Sequence, residues 1–329
     1  MVNILSMYSN RKILLNSKLM RAKVLIAGSG NTTGINVIKS LIDEVEVIGC
    51  DFNPINPANK FCRNFVVSRC SSSLYHKDIL ELIRNEGVTH IFASNDHDVR
   101  AMTLLSPELE KLGVRLNGVN GSVTIDCLDK DKTYKLFVEN NILTPKKVDV
   151  RNALGNIPCV VRIKNMGKTR KFVHIVKTKE NFAEIPQTHL DNAICTCFVE
   201  GEEYTTDYLC DNESNLICAI PRLRVEVNNG MVWHGKVVHD EVLIQKVTEV
   251  AKKLGLIGVG CIQCIKDKFG NYYFIEINPR PGSGIDLSIN SGANLPLMSV
   301  YLQQGIEVKV PMINWDTQMI RYNTAYFFS

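Results

Sequence analysis

From Lys23 onward, short runs of β-branched and apolar residues alternate with segments whose apolar positions recur at helical spacing. KVLIAG (23–28), VEVIGCDFNP (45–54), FVVS (65–68) and THIFASNDHD (89–98) read as strands, the last entering a polar loop. Between them lie a turn, SGNTTG (29–34), and two helical patterns, INVIKSLI (35–42) and KDILELIRNEG (77–87), the second closing on glycine. Strands alternating with helices at this spacing predict a doubly wound parallel sheet over residues 21–117.

The pattern then changes. A helix, DKTYKLFVENN (131–141), stops near Pro145 and is followed by short strands VDV, PCVVRIKN and KFVHIVK, with a polar loop MGKTR before the last. These predict a small antiparallel layer within residues 118–190. Residues 191–311 are richest in strands: AICTCFVEG, EYTTDYLCD, NLICAIPRLRVEV, GVGCIQCIKD and NYYFIEINP. One long helix, DEVLIQKVTEVAKKLG (240–255), interrupts them, with an acidic start and a Lys–Lys pair before its closing glycine, as the helix dipole favours. Residues 312–329 read as a tail. The fold class is therefore α/β with α+β character, and without repeats or a low-complexity linker the parts should pack as one body.

Composition narrows the function classes. A chain of 329 residues holds two or three domains' worth of core. A formal charge of +4 gives no reason to expect nucleic acid or a membrane surface as partner. The 11 cysteines, odd in number and scattered, suit reduced thiols and a cytoplasmic location. No apolar run approaches the ~20 residues that span a bilayer. Residues 1–20 lack a signal-peptide core and read as a dispensable or disordered extension before a second start at Met20.

The candidate chemistry centres on FIEINPRPGSG. Alternation along a strand puts Glu276, Asn278 and Arg280 on one face and Ile275 and Ile277 in the core. A carboxylate and an amide oxygen are hard ligands suited to Mg²⁺, and a guanidinium can hold phosphate in bidentate fashion. The spacing alone also fits a half-exposed strand with incidental polar residues. Gln263, polar within the apolar strand GVGCIQCIKD, needs a partner when buried; a metal, a substrate, the backbone or water would each serve.

In order and spacing, these motifs resemble the ATP-grasp superfamily, in its carbamoyl-phosphate-synthase-like branch. The resemblance runs from VLIAGSGNTTGINVIKSL through CLDKDKTYKLFVENNILTP, PCVVRIKN, FVEGEEYTTDYLCD and IPRLRVEV to GCIQCI and FIEINPRPGSG. It implies a pre-ATP-grasp domain over residues 21–117, then a two-lobed ATP-grasp domain with a small lid lobe (118–190) and a large lobe (191–311). It also implies ATP and Mg²⁺, with Mn²⁺ as an alternative ion. By position, Lys130 and Arg162 would contact ATP phosphates and Glu203 the ribose or nearby substrate groups; Lys164, Lys168 and Glu200 join them as nucleotide contacts. Gln263, Glu276 and Asn278 match the metal ligands and Arg280 the γ-phosphate clamp. Arg222 and Arg224 of PRLR match a basic position facing the phosphates or the acyl substrate, and with Arg280 they form the expected catalytic set.

Two positions depart from the family pattern. The lid loop NMGKTRK (165–171) has a single glycine and basic side chains, and Cys197 stands where a glutamate is common beside the adenine pocket. The implied activity is an ATP-dependent ligase joining a small carboxylic acid to an amine through an acyl phosphate, with ADP and phosphate released. Its partners are those small molecules, and a homodimer is compatible. The departures motivate an alternative, an ATP-binding regulatory subunit with weak turnover. A third reading, a nicotinamide-binding oxidoreductase, takes GSGNTTG as a dinucleotide turn with Asp51 as the ribose acid, although the third glycine falls one residue late. Asn95, Asp96 and Asp98 sit where parallel sheets place ligands, while a helix cap explains Asp98 equally well. The Asn95–Asp98 loop, PRLR and PGSGIDLS (281–288) should carry specificity. Cys261 and Cys264 face opposite ways on a strand, and Cys195 and Cys197 share a face without a second pair, so both pairs read as buried thiols.

Overall fold

The computed structural model describes residues 22–164, 173–228 and 230–328. The extension 1–20 and the lid loop 165–171, with Lys168, lie outside the described residues.

β1 (Lys23–Ala27), β2 (Glu46–Asp51), β3 (Arg63–Val66), β4 (His90–Ala93) and β5 (Arg115–Leu116) form a parallel sheet in the order β3-β2-β1-β4-β5. α1 (Thr32–Leu41) starts where Asn31 Oδ1 accepts from Gly34 N at 3.1 Å, and it buries Thr33, Val37, Ile38 and Leu41. α2 (Tyr75–Glu86) ends on Gly87, whose φ of 67° suits a residue without Cβ. Two expectations shift here. The third strand begins two residues earlier than FVVS. The polar stretch after β4 is not a loop but the first turn of α3 (Asp96–Leu104), because Asn95 Oδ1 accepts from His97 N and Asp98 N, each at 3.0 Å. Asn95, not Asp98, is the cap. α4 (Ser106–Lys111) follows at once.

His90 of β4 is 1% exposed, with Nδ1 2.8 Å from Thr89 Oγ1 and Nε2 without a partner among the described residues. Burial, helped by the charge of Arg115, pushes its pKa from 6.5 down to about 4. The unfolded chain therefore takes up a proton that the folded chain refuses. Stability contributed by neutral His90 is full above pH 6.5 and falls as pH drops toward 4, by on the order of 3 kcal/mol in total. Denaturant unfolding across this range should show the loss, and His90→Leu should flatten that part of the profile; an unchanged profile would contradict it.

After α5 (Gly121–Cys127), the side chain of Asp129 caps α6 (Lys130–Glu139) by accepting from Asp131 N and Lys132 N. β6 (Lys147–Val148), β7 (Cys159–Ile163) and β8 (Val173–Val176) belong to the expected small antiparallel layer. α7 (Lys179–Ala183) and α8 (Gln187–Leu190) lead into β9 (Ala193–Cys197), which inserts between β6 and β7. β9 therefore belongs to the small layer, not to the strand-rich part beginning at 191, because its register is fixed by Val161↔Cys195 and Val148↔Cys195.

β10 (Gly201–Cys210), β11 (Leu216–Asn228), β12 (Met231–Val237), β13 (Gly258–Asp267), β14 (Tyr272–Asn278) and β15 (Gln318–Ile320) form an antiparallel sheet in the order β14-β13-β10-β11-β12-β15. The stretch expected to be a tail thus contributes a strand, held further by Arg321 Nη2 donating to Ser283 O at 2.9 Å. One face of this sheet carries Tyr204, Tyr208, Ile262, Cys264 and Ile277 against α9 (Glu241–Leu254) and Phe137 of α6. At one end of the opposite face, Leu209, Ile220 and Val259 pack with Val24, Ile26 and α1, and with α10 (Ile285–Asn290) and α11 (Leu295–Gln303). Asn117 fixes this junction by exchanging bonds with the backbone of Val259, at 3.0 and 3.2 Å. The chains meet so closely there that a Cβ on Gly258 (φ 64°) would lie 2.5 Å from Gly118 N. The parallel sheet thus covers only part of that face. The rest is open.

Candidate active site

The uncovered part of the antiparallel sheet floors a cleft of about 840 Å³, roofed by β7, β8 and the segment after β9. Register lays its polar residues out in rows across neighbouring strands. Arg222, Thr205, Gln263 and Glu276 stand directly opposite one another on β11, β10, β13 and β14, and Asp207, Cys261 and Asn278 form the next row. Strand alternation sends their neighbours Tyr204, Tyr208 and Ile262 to the other face.

Nine of the residues singled out in the sequence line this one cleft: Lys130, Arg162, Glu203, Arg222, Arg224, Gln263, Glu276, Asn278 and Arg280. Glu276 Oε1 accepts from Lys130 Nζ at 2.7 Å. Burial would raise the Glu276 pKa, but the Lys130 ammonium together with Arg162 holds the carboxyl below its usual range. Turned so that both neighbours are satisfied, the Gln263 amide places its nitrogen 3.2 Å from Glu276 Oε2 and its oxygen 3.3 Å from Arg224 Nη1. Arg162 enters from β7 and donates from Nη1 to Ile275 O at 3.0 Å. Arg224 Nη1 pairs with Glu203 Oε1 at 3.1 Å, and burial raises the pKa of that glutamate despite the arginine.

Other residues singled out in the sequence take different places. Ile275 lines the cleft instead of the core, because β14 bulges there: Glu276 opposes Gln263 and Phe274 opposes Cys264, leaving Ile275 unpaired. Arg222 is not free to face a substrate along its whole edge. Its Nε and Nη2 grip Asp207 at 2.7 and 2.8 Å with the side chain 3% exposed, and Ser288 Oγ donates to the same carboxylate at 2.6 Å. Lys164 is not among the cleft-lining residues: β7 ends at Ile163, the Lys164 backbone is tied to Asn192 and Lys130, and its charge is felt at Asp131. Glu200 is exposed and outside the lining, although its neighbours Val199 and Gly201 form part of the wall. Asp98 is locked away from any ligand, its carboxylate accepting from Tyr75 Oη at 2.7 Å and Cys70 Sγ at 2.8 Å. Asp51 folds onto the turn after β1, its Oδ2 accepting from Gly30 N at 3.1 Å.

Two acids hold the cleft's cations: Asp207 on Arg222, which the sequence reading does not single out, and Asp96 on Arg280 at 2.7 Å, singled out only as a sheet-edge ligand position. Asp207 was recoverable, since alternation puts it on the face of Glu203 and Thr205. Cys197 lines the cleft beside Phe198 and Val199, with Val160 and Ile265 completing an apolar part of its wall.

The donor set fits a divalent cation carried in with an anionic ligand. Glu276, Gln263 and Asn278 offer one carboxylate and two amide groups, and among the described residues no group of three or more His, Cys, Asp or Glu forms a metal cage of its own. Around them five cations face two carboxylates in the lining. Arg162 Nε and Arg224 Nε are buried and have no hydrogen-bond partner among the described residues, an arrangement that a polyanion would satisfy.

Known proteins resemble this chain in sequence and in fold. The model of the family described as ATP-grasp in the biosynthetic pathway with Ter operon matches residues 189–325. A D-alanine–D-alanine ligase of Chromohalobacter salexigens is 27% identical over 54% of this chain and 63% of its own length, so the chain spans less than two thirds of that relative. The biotin carboxylase domain of Hydrogenobacter thermophilus 2-oxoglutarate carboxylase, solved with MgADP and bicarbonate, superposes with a TM-score of 0.70 at 16% identity, covering 90% of this chain and 73% of that one. An ADP complex of N5-carboxyaminoimidazole ribonucleotide synthetase gives 0.74 at 14% identity, over 91% and 80%. The family model's match includes the strands that floor the cleft, so residues 189–325 are similar to an ATP-grasp domain, and the chain shares its fold with these ADP-bound structures.

Proposed function

We propose that the chain is a Mg²⁺- and ATP-dependent ligase joining a small carboxylic acid to an amine. The observation that carries this is the row Gln263–Glu276 with Asn278 beside it, flanked by Lys130, Arg162, Arg224 and Arg280 in one cleft with an apolar wall. The relatives' names support it: one is a ligase of amino acids, and both neighbouring structures hold ADP.

In this reading Glu276, Asn278 and Gln263 hold Mg²⁺, with the Gln263 amide turned to present its oxygen. The ion supplies charge neutralisation on the phosphates. Lys130, released from Glu276, and Arg162 bind phosphate oxygens. The substrate carboxylate attacks the γ-phosphorus, the bond to the β-phosphate oxygen breaks, and ADP leaves. The amine then adds to the acyl carbon, loses a proton, and phosphate departs with the C–O bond electrons. Arg280 and Arg224 neutralise charge in both steps, and no protein nucleophile is required. The cytoplasmic location proposed from the thiols is consistent with the absence, among the described residues, of any helix long and apolar enough to cross a membrane.

A screen of Mg·ATP with amino acids and small carboxylic acids paired with amines tests this reading. ADP release dependent on both partners, with the coupled product seen by mass spectrometry, is expected. Nucleotide binding without ADP release for any pair would favour the regulatory-subunit reading instead.

A further inference from the structure

Arg280 is anchored at three points. Its Nη1 donates to Pro281 O and its Nη2 to Asn278 Oδ1, each at 3.1 Å, and both acceptors belong to the same strand end. The third anchor is foreign to the motif. Nε donates at 2.7 Å to Oδ1 of Asp96, which stands 184 residues earlier at the start of α3, on the edge of the parallel sheet. Both side chains are largely buried, 10% and 16% exposed. A guanidinium is a rigid plane, so three anchors fix its orientation, while each terminal nitrogen keeps a further N–H for a ligand. The motif's own anchors hold only the terminal nitrogens. Without Asp96, Nε would be left buried and unpaired, and the plane could turn about the remaining contacts.

We propose that Asp96 is a positioning residue for nucleotide recognition: from the parallel-sheet side it sets the Arg280 plane so that the free N–H groups meet the terminal phosphate of ATP. This rests on the reading of the cleft as a Mg·ATP site. It gives the parallel sheet a part in phosphate recognition as well as in covering the large sheet.

Calorimetric titration of the full chain with Mg²⁺ and either ADP or the non-hydrolysable analogue AMP-PNP separates the alternatives. Asp96→Ala should weaken AMP-PNP on the order of tenfold, the usual size for one lost charge-assisted contact, and leave ADP within about twofold. Asp96→Asn keeps an acceptor for Nε and should restore most of the AMP-PNP affinity. In an Arg280→Ala background, Asp96→Ala should add no further loss. Equal weakening of both nucleotides would show a merely structural role and overturn the proposal. So would unchanged AMP-PNP binding, failure of Asp96→Asn to restore it, or additive losses in the Arg280→Ala background. A wild-type chain that binds neither nucleotide would instead overturn the reading of the cleft, and the role of Asp96 with it.

Discussion

Glu276→Ala is expected to lower Mg-dependent ADP release by a factor on the order of 10³, the scale on which removing a group that stabilises transition-state charge acts. Glu276 is the one carboxylate among the three proposed metal donors; the other two are neutral amides, which bind a divalent cation weakly without it. The same substitution removes the partner of Lys130, whose side chain is 13% exposed and whose ammonium lies 2.7 Å from the carboxylate. Glu276→Gln keeps the volume and a hydrogen-bond acceptor, so it separates loss of charge from loss of packing. Both variants should lose turnover, and Glu276→Gln should melt closer to the wild type. Full turnover in either variant would remove Glu276 from the site.

The second large effect is on stability. Asp207 is fully buried, and its bidentate bond to Arg222 is completed by Ser288. Asp207→Ala leaves the Arg222 side chain, 3% exposed, without its hydrogen-bonded carboxylate, and removing one partner of such a pair costs about 3–5 kcal/mol. The loop after β14 depends on the same arginine. A Cβ on Gly284 would stand 2.5 Å from Arg222 Nη1, so the loop lies directly on the guanidinium and should loosen with it. Equilibrium unfolding in urea should show the loss, with Asp207→Asn intermediate because its amide oxygen still accepts. A change within about 0.5 kcal/mol would mean that the pair merely offsets its own desolvation.

What the sequence made legible was local. The β1, β2 and β4 strands, α2 and α9 follow from apolar periodicity and glycine stops, and strand alternation correctly put Glu276 and Asn278 on the cleft face. The order of motifs then brought Lys130, Arg162 and Glu203 to the same cleft. What stayed hidden depends on partners distant in sequence. Nothing near Arg222 marks it as already committed to Asp207, and nothing near Asp98 shows that Tyr75 and Cys70 enclose it. Asp96 was visible as a polar residue at a sheet edge, but its bond to Arg280 exists only because the two sheets meet. Ile275 was placed in the core because alternation assumes an unbroken ladder, and a bulge reverses the side a residue faces. β9 and β15 were assigned to the wrong layer and to a tail because strand identity is local while sheet membership is not.

The most direct test supplies the substrate carboxylate labelled with ¹⁸O, together with Mg·ATP and an amine partner, and analyses the released nucleotide and phosphate. Transfer of a single ¹⁸O from acid to inorganic phosphate, with ADP as the nucleotide product, is the result the account predicts, since the acyl phosphate leaves that oxygen on phosphate. AMP and pyrophosphate, or phosphate without label alongside coupled product, would contradict it.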